Sequence, residues 1–355
     1  MKNTIITNIM VGYKNKDLRT KAMKNLRDIL TDSKLMFTYD RASRAFNIQT
    51  PNNDIVDKVK TIISAFNLSY EVVEVEIYNA VEMNLQLLAR KTVVEQATEA
   101  GFKVENSIQA NIVNNIAGLK KEKITISGNQ KTGEIPCINL PNIEVQKEFI
   151  KVVRNNQELL EMEEVKTLYN YMLTNAMCVN CGSCQKACYN NQAYRQYPTK
   201  AIADLRTLLN LITAPEKTIG DIAQRTRNMR VVRLNGSGEI HNQGILNSYI
   251  KLAKLNPLTT YYTYTKNYDL LAGKRLPKNL IVNVSQFGNN VDMSHYSKNT
   301  NTFKTISQEE FDSTKEDKTV KKCTNDCMNC NYCYTKKGYT ILVPIHGADA
   351  NKAEL

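Results

Sequence analysis

The chain has 355 residues, a formal charge of +12 and nine cysteines. With 42% apolar residues and only 14 glycines and 8 prolines, it can build a buried core, which excludes a disordered, fibrous or low-complexity protein. No apolar run approaches the ~18 residues of a membrane-spanning helix, and the start, MKNTIITNIMVGYKNK, carries no small-residue cleavage site. A cytoplasmic protein with no membrane partner is expected.

Residues 1–79 read as a small α+β module. TIITNIMV (4–11) is a strand, and residues 17–31 are a helix with Leu18, Ala22, Leu26, Ile29 and Leu30 on one face. KLMFTY and AFNIQT are short strands joined by DRASR, and a second helix carries Ile55, Val59, Ile62, Ile63 and Phe66. YEVVEVEIY alternates Val73, Val75 and Ile77 with Glu74 and Glu76, the pattern of a half-buried antiparallel strand. The order βαββαβ is that of a ferredoxin-like fold, a scaffold whose shape names no ligand. Its central strands lack the paired aromatics of RNA-binding versions. Residues 80–125 read as a helical linker, and 126–355 as a second domain.

In that domain Cys178, Cys181, Cys184 and Cys188 follow C-x2-C-x2-C-x3-C spacing. Short gaps let one turn aim successive thiolates at one centre, with backbone N–H groups free to bond the sulfurs. Where cytosolic thiol buffers keep disulfides rare, such density points to metal. The spacing matches that of bacterial ferredoxin [4Fe–4S] loops, with Tyr189 in place of their following proline.

Strands and helices then alternate. TKAIADLRTLLNLI is a helix that Thr199 could cap, and TIGDIAQRT a short one before the strand MRVVRL. The loop NGSGEI, the helix QGILNSYIKLAKL, the strand TTYYTYT, the helix NYDLLAG and the strand LIVNVSQF follow. Such alternation predicts parallel βαβ units with right-handed crossovers, and active groups on the loops leaving the strands' carboxyl ends. Those ends are Asn235–Glu239, Thr265 with Lys266, and Ser285 with Gln286. Glu239 reads either as a ligand-binding carboxylate or as a cap for the helix starting near Asn242. Arg233, within an apolar strand, needs a partner if buried, and Glu239 or a substrate carboxylate could supply it.

A second group, Cys323, Cys327, Cys330 and Cys333, runs C-x3-C-x2-C-x2-C and suits either iron–sulfur or tetrahedral zinc. Cys137 stands alone and reads as a small core residue or a ligand. His346, in YTILVPIHG, reads as a ligand, a support for one, or a loop residue.

The series GNQKTGEIPCINLP, CGSCQKACYNNQAY, RLNGSGEIHN, NPLTTYYTYTK, LPKNLIVNVS and CTNDCMNCNYC…PIHG resembles the phage and mobile-element family of gene product eighty-eight, over about residues 126–347. Its organisation is in turn similar to a partial radical S-adenosylmethionine (radical SAM) barrel. That resemblance implies a partial (β/α) barrel whose cysteine loop holds [4Fe–4S]. It also implies that Gly238 and Glu239 lie where such enzymes bind the methionyl amino group, with Lys266 and Ser285 on the same rim. Two departures stand out. Radical SAM loops run C-x3-C-x2-C, whereas Cys181, Cys184 and Cys188 run C-x2-C-x3-C, and a fourth ligand, Cys178, would close the iron that S-adenosylmethionine needs.

The fold expected is therefore α/β, a ferredoxin-like module followed by a partial barrel-like metal-cluster domain. It would carry one or two [4Fe–4S] clusters, or zinc at the second group, and act on a small-molecule or macromolecular substrate that the sequence does not name. A zinc-stabilised nucleic-acid-binding or scaffold protein is the alternative. Its support is the stretch from Cys178 to Arg275, with fourteen Lys and Arg against five Asp and Glu, and the tyrosines of YYTYTKNY as stacking surfaces.

Overall fold

The computed structural model describes backbone strands over 2–10, 37–40, 45–50 and 69–76, and residues 92–345 apart from 129–132, 134, 288–299, 328 and 336. The chain divides into two compact units, Met1–Arg90 and Lys91–Leu355.

In the first unit β1 (Lys2–Met10), β2 (Phe37–Asp40), β3 (Ala45–Thr50) and β4 (Ser69–Glu76) form one sheet in the order β2-β3-β1-β4. Every pairing is antiparallel, with Ile6 opposite both Ile48 and Val72. All four strands lie within or beside the segments the alternating pattern marks. The helices expected over 17–31 and 55–66 fall outside the described residues.

The second unit is mixed α/β. Helices α1 (Val93–Glu99) and α2 (Ser107–Asn114) open it, and α2 buries Ile108, Ala110, Ile112 and Val113. Then come β5 (Ile126–Ser127), β6 (Cys137–Ile138), α3 (Ile143–Asn155) and α4 (Glu163–Thr174). The first cysteine loop leads to α5 (Tyr189–Gln196), α6 (Lys200–Thr213) and α7 (Pro215–Thr226). Next are β7 (Val231–Leu234), α8 (Gln243–Leu255), β8 (Thr260–Thr265) and β9 (Leu280–Phe287). Last are β10 (Thr302–Ile306), α9 (Gln308–Ser313), β11 (Val320–Lys322) and β12 (Thr340–Pro344).

The eight strands order as β11-β12-β10-β9-β8-β7-β6-β5, and all pairs are parallel except β5 with β6. From β6 to β10 each strand lies beside its predecessor, always stepping the same way. Right-handed crossovers then put the connections from β6 to β9 on one face. Accordingly Val232, Leu234, Tyr261, Leu280, Val282 and Val284 join the helices in one core. The intervening residues Val231, Tyr262 and Ile281 face the other way, with Ile135. The step from β11 back to β12 reverses direction, so its crossover belongs on that second face, and Cys327, Cys333 and Tyr334 pack there.

Local chemistry departs from the expected pattern in two places. Thr199 makes no capping hydrogen bond to α6. NYDLLAG forms only a short 3-10 turn, Tyr268–Leu270, because it is too short to repay helix nucleation.

Candidate functional site

The carboxyl ends of β6, β7 and β8 meet, and the first cysteine loop is fastened across them. Asn180 Nδ2 donates to the Lys266 carbonyl at 2.8 Å, and the Tyr189 hydroxyl to the Gly236 carbonyl at 2.8 Å. Asn180, at φ 52, and Gly182, at φ 43, turn the chain in the left-handed region on either side of Cys181. Within the loop Cys178, Cys181 and Cys184 are hydrogen-bonded in series, and Cys188 stands within electrostatic range of Cys184. The contact with Cys178 pushes Cys181 up to about 12, with burial adding to it. Among the described residues, no three His, Cys, Asp or Glu side chains gather into a ready-made metal cage.

Two other side chains reach the sulfurs. Lys266, just past β8, hydrogen-bonds Cys184. Burial alone would pull its ammonium down, but Cys184, Glu239 and Cys181 hold it up. Asn142, between β6 and α3, donates from Nδ2 to Cys188 Sγ at 3.6 Å and to Asn191 Oδ1 at 2.9 Å, while its Oδ1 caps α3 by accepting from Val145 N–H. Asn142 is absent from the sequence-derived site. The signal available was an Asn before Val145, Phe149, Val152 and Val153 at helical spacing.

Glu239 is buried and does not cap α8. That cap is Asn242, whose Oδ1 accepts from Ile245 N–H at 3.1 Å. Glu239 instead accepts from Ile240 N–H at 2.7 Å and Lys266 N–H at 2.9 Å, so it ties the β7 loop to the β8 loop. Burial raises its carboxyl above the ordinary range, against the pull of Lys266 and its donors. Gly238 has φ +80, and a Cβ there would fall 2.6 Å from the Leu140 carbonyl oxygen. The strand-end geometry therefore requires glycine immediately before Glu239. Ser285 lies inside β9 rather than in a loop after it, and its link to the rim runs through its carbonyl, which accepts from the Tyr268 hydroxyl at 2.7 Å.

Arg233 does not pair with Glu239. Its guanidinium lies 5.2 Å over the Tyr264 ring, and among the described residues it makes no ion pair. Cys137 is buried in β6, and His346 falls outside the described residues. Tyr261 and Tyr262 are buried in the strand core, while Tyr264 and Tyr268 are half-buried.

The second cysteine group is also drawn together. Cys323, Cys327 and Cys330 all act electrostatically on Cys333, whose sulfur accepts a hydrogen bond from the Tyr264 hydroxyl. Asn325, at φ 57, turns this loop as Asn180 turns the first, each two residues after its leading cysteine.

Fold and site together define a mixed α/β protein whose largely parallel sheet carries one four-cysteine loop across its strand ends and another on the face opposite the main helical core. No helix among the described residues is long and apolar enough to cross a membrane. Residues 149–339, more than half of the chain, match the family model of gene product 88, and the chain belongs to that family. No curated protein and no solved structure matches it.

Proposed function

We propose that this is an iron–sulfur protein of a phage or mobile element, built on a partial, radical-SAM-like (β/α) barrel behind a ferredoxin-like module. One observation carries the reading: the first cysteine loop, Lys266 and Glu239 converge at the carboxyl ends of consecutive parallel strands, where such sheets place their chemistry. The donor set fits a cluster chemically. Neighbouring sulfurs of the loop interact in succession from Cys178 through Cys181 and Cys184 to Cys188. Lys266 and the Asn142 amide supply the positive charge and N–H donation that an anionic cluster needs. In this reading Cys181, Cys184 and Cys188 would hold the cluster, with Cys178 left out of the ligand set. Gly238, Glu239, Lys266 and Ser285 would be the residues to hold S-adenosylmethionine, with the Glu239 carboxylate, which already accepts from two backbone N–H groups, as the partner of its amino group. The antiparallel strand order β2-β3-β1-β4 supports the ferredoxin-like module.

Anaerobic reconstitution tests the cluster. The expected product is brown, with about four irons at the first group, and the Cys181→Ser, Cys184→Ser double variant loses those irons. A colourless protein holding only zinc would sink the proposal in favour of the zinc-stabilised nucleic-acid-binding or scaffold reading. Catalysis has its own test, the release of methionine and 5′-deoxyadenosine from S-adenosylmethionine by the reduced protein.

A further inference from the structure

One face of the parallel sheet is covered by helices, and the other is covered by the chain between β11 and β12. Tyr262 and Ile281 on that second face pack with Val231 and Ile135, and the loop's Cys327, Cys333 and Tyr334 close over them. The Tyr262 and Tyr334 rings lie 5.6 Å apart. The loop is also pinned by polar contacts. Asn283 Nδ2, from within β9, donates to the Cys333 carbonyl at 2.9 Å. Asn301 Nδ2 donates to the carbonyls of Tyr332 at 3.1 Å and Thr335 at 2.9 Å.

This loop has little regular structure of its own. Between β11 and β12 the described residues form a single 3-10 turn, Tyr332–Tyr334. Loops seldom form a core layer, because they spend few apolar side chains and leave backbone groups unpaired. This one instead spends four cysteines, and Tyr262, Tyr334 and Ile341 wall in the space around them. All four thiols line one small cavity without yet closing on a common point, and their number and spacing suit one tetrahedral ion. Zinc would displace four S–H protons to solvent and leave a tetrathiolate site of net charge −2. Basic groups stand nearby to balance that charge. Arg230 lines a cleft of about 300 Å³ with Cys330, Asn329 and Tyr334, while Lys321 and Lys322 directly precede Cys323.

We propose that Cys323, Cys327, Cys330 and Cys333 form a closed, zinc-class site, and that the metal-clipped loop is the structural second layer of the sheet rather than a reaction centre. The proposal is independent of what the first group holds. It also differs from the first site in kind, because the first loop shares its space with Glu239 and Lys266 at the strand ends.

The test uses the full-length chain, unaltered and as the Cys181→Ser, Cys184→Ser variant, so that metal at the first group is counted separately. In both, metal analysis is expected to find one zinc per chain. Cobalt(II) in its place should give the intense visible bands and sulfur charge-transfer absorption of a tetrahedral tetrathiolate. Stripping the metal with a chelator should open residues 323–339 to proteolysis and change the tyrosine fluorescence, which no tryptophan masks because the chain has none. Cys327→Ser, Cys330→Ser should abolish the cobalt bands; should that variant fail to fold, the cobalt and chelator experiments on the intact second group still decide. Finding iron there in place of zinc, or no metal, would overturn the site. An unchanged proteolysis pattern after metal removal would overturn the structural role.

Discussion

His241 should make the stability of the second unit fall in mild acid. It lies between β7 and α8, buried against α4. The Asn242 amide donates to the Tyr171 hydroxyl oxygen at 2.6 Å, which leaves the Tyr171 proton to point at His241 Nε2, 2.8 Å away. Nε2 is therefore the acceptor, and Nδ1–H faces the Glu239 carbonyl at 3.3 Å. This arrangement holds a neutral imidazole, and burial pulls its pKa down to about 4 from an ordinary 6.5. The unfolded chain takes up a proton as pH drops below 6.5, while the folded chain refuses it until about 4. Stability is thus intact above pH 6.5 and is lost through the window from 6.5 to 4, levelling below that.

At pH 5 linkage gives a loss of about 2 kcal/mol relative to pH 7.5. The perturbation is His241→Gln, whose carbonyl oxygen can accept the Tyr171 proton and which does not titrate. Urea unfolding of both proteins at pH 7.5, 6, 5.5 and 5 gives the difference between them, in which the other acids cancel. The wild-type protein should lose about 2 kcal/mol more than the variant across that range. A difference that stays flat with pH would refute the neutral, buried imidazole.

Gly238→Ala should cost roughly 2–4 kcal/mol, from left-handed strain plus the collision with Leu140, whereas Gly273→Ala, at φ +67 in open space, should cost only about 1 kcal/mol; thermal denaturation compares the two. Glu239→Ala strips two backbone N–H groups of their acceptor and should cost about 2 kcal/mol in urea unfolding, with Glu239→Gln recovering part of it. Asn142→Asp keeps the oxygen that caps α3 but loses the donors to Cys188 and Asn191 and buries a carboxylate against both acceptors, so stability should fall by about 1–3 kcal/mol and the reduction potential of a reconstituted cluster should fall with it; urea unfolding and redox titration read the two effects. Lys266→Met removes the ammonium beside Cys184 and should lower the same potential further, and an unchanged potential would dissociate Lys266 from any cluster.

Much of this architecture is readable from local pattern. The apolar runs of MRVVRL and LIVNVSQF and the helical spacing of QGILNSYIKLAKL lead directly to β7, β9 and α8. The carboxyl-end rule picked out Glu239 and Lys266, which do meet. The pattern is weaker where tertiary pairing decides. TFKTI and VKK are too short and too polar to declare themselves strands, yet parallel neighbours make them β10 and β11. Ser285 was placed at a strand end because periodicity fixes element type better than it fixes boundaries. Both faces of β7–β9 are buried, so alternation could not show which tyrosines faced the helices. Asn142 escaped notice because its contact with Cys188 spans 46 positions.

The reversed step from β11 to β12 also sets an order of events. Strands β6 to β10 and their helices emerge from the ribosome first, and they can pair as soon as they do. Their second face stays apolar and uncovered until the cysteine loop has been made and β12 has slipped between β10 and β11. A parallel sheet with one bare face is an aggregation hazard, and this connection order lengthens the time for which the chain presents one. The interval ends when the loop is in place.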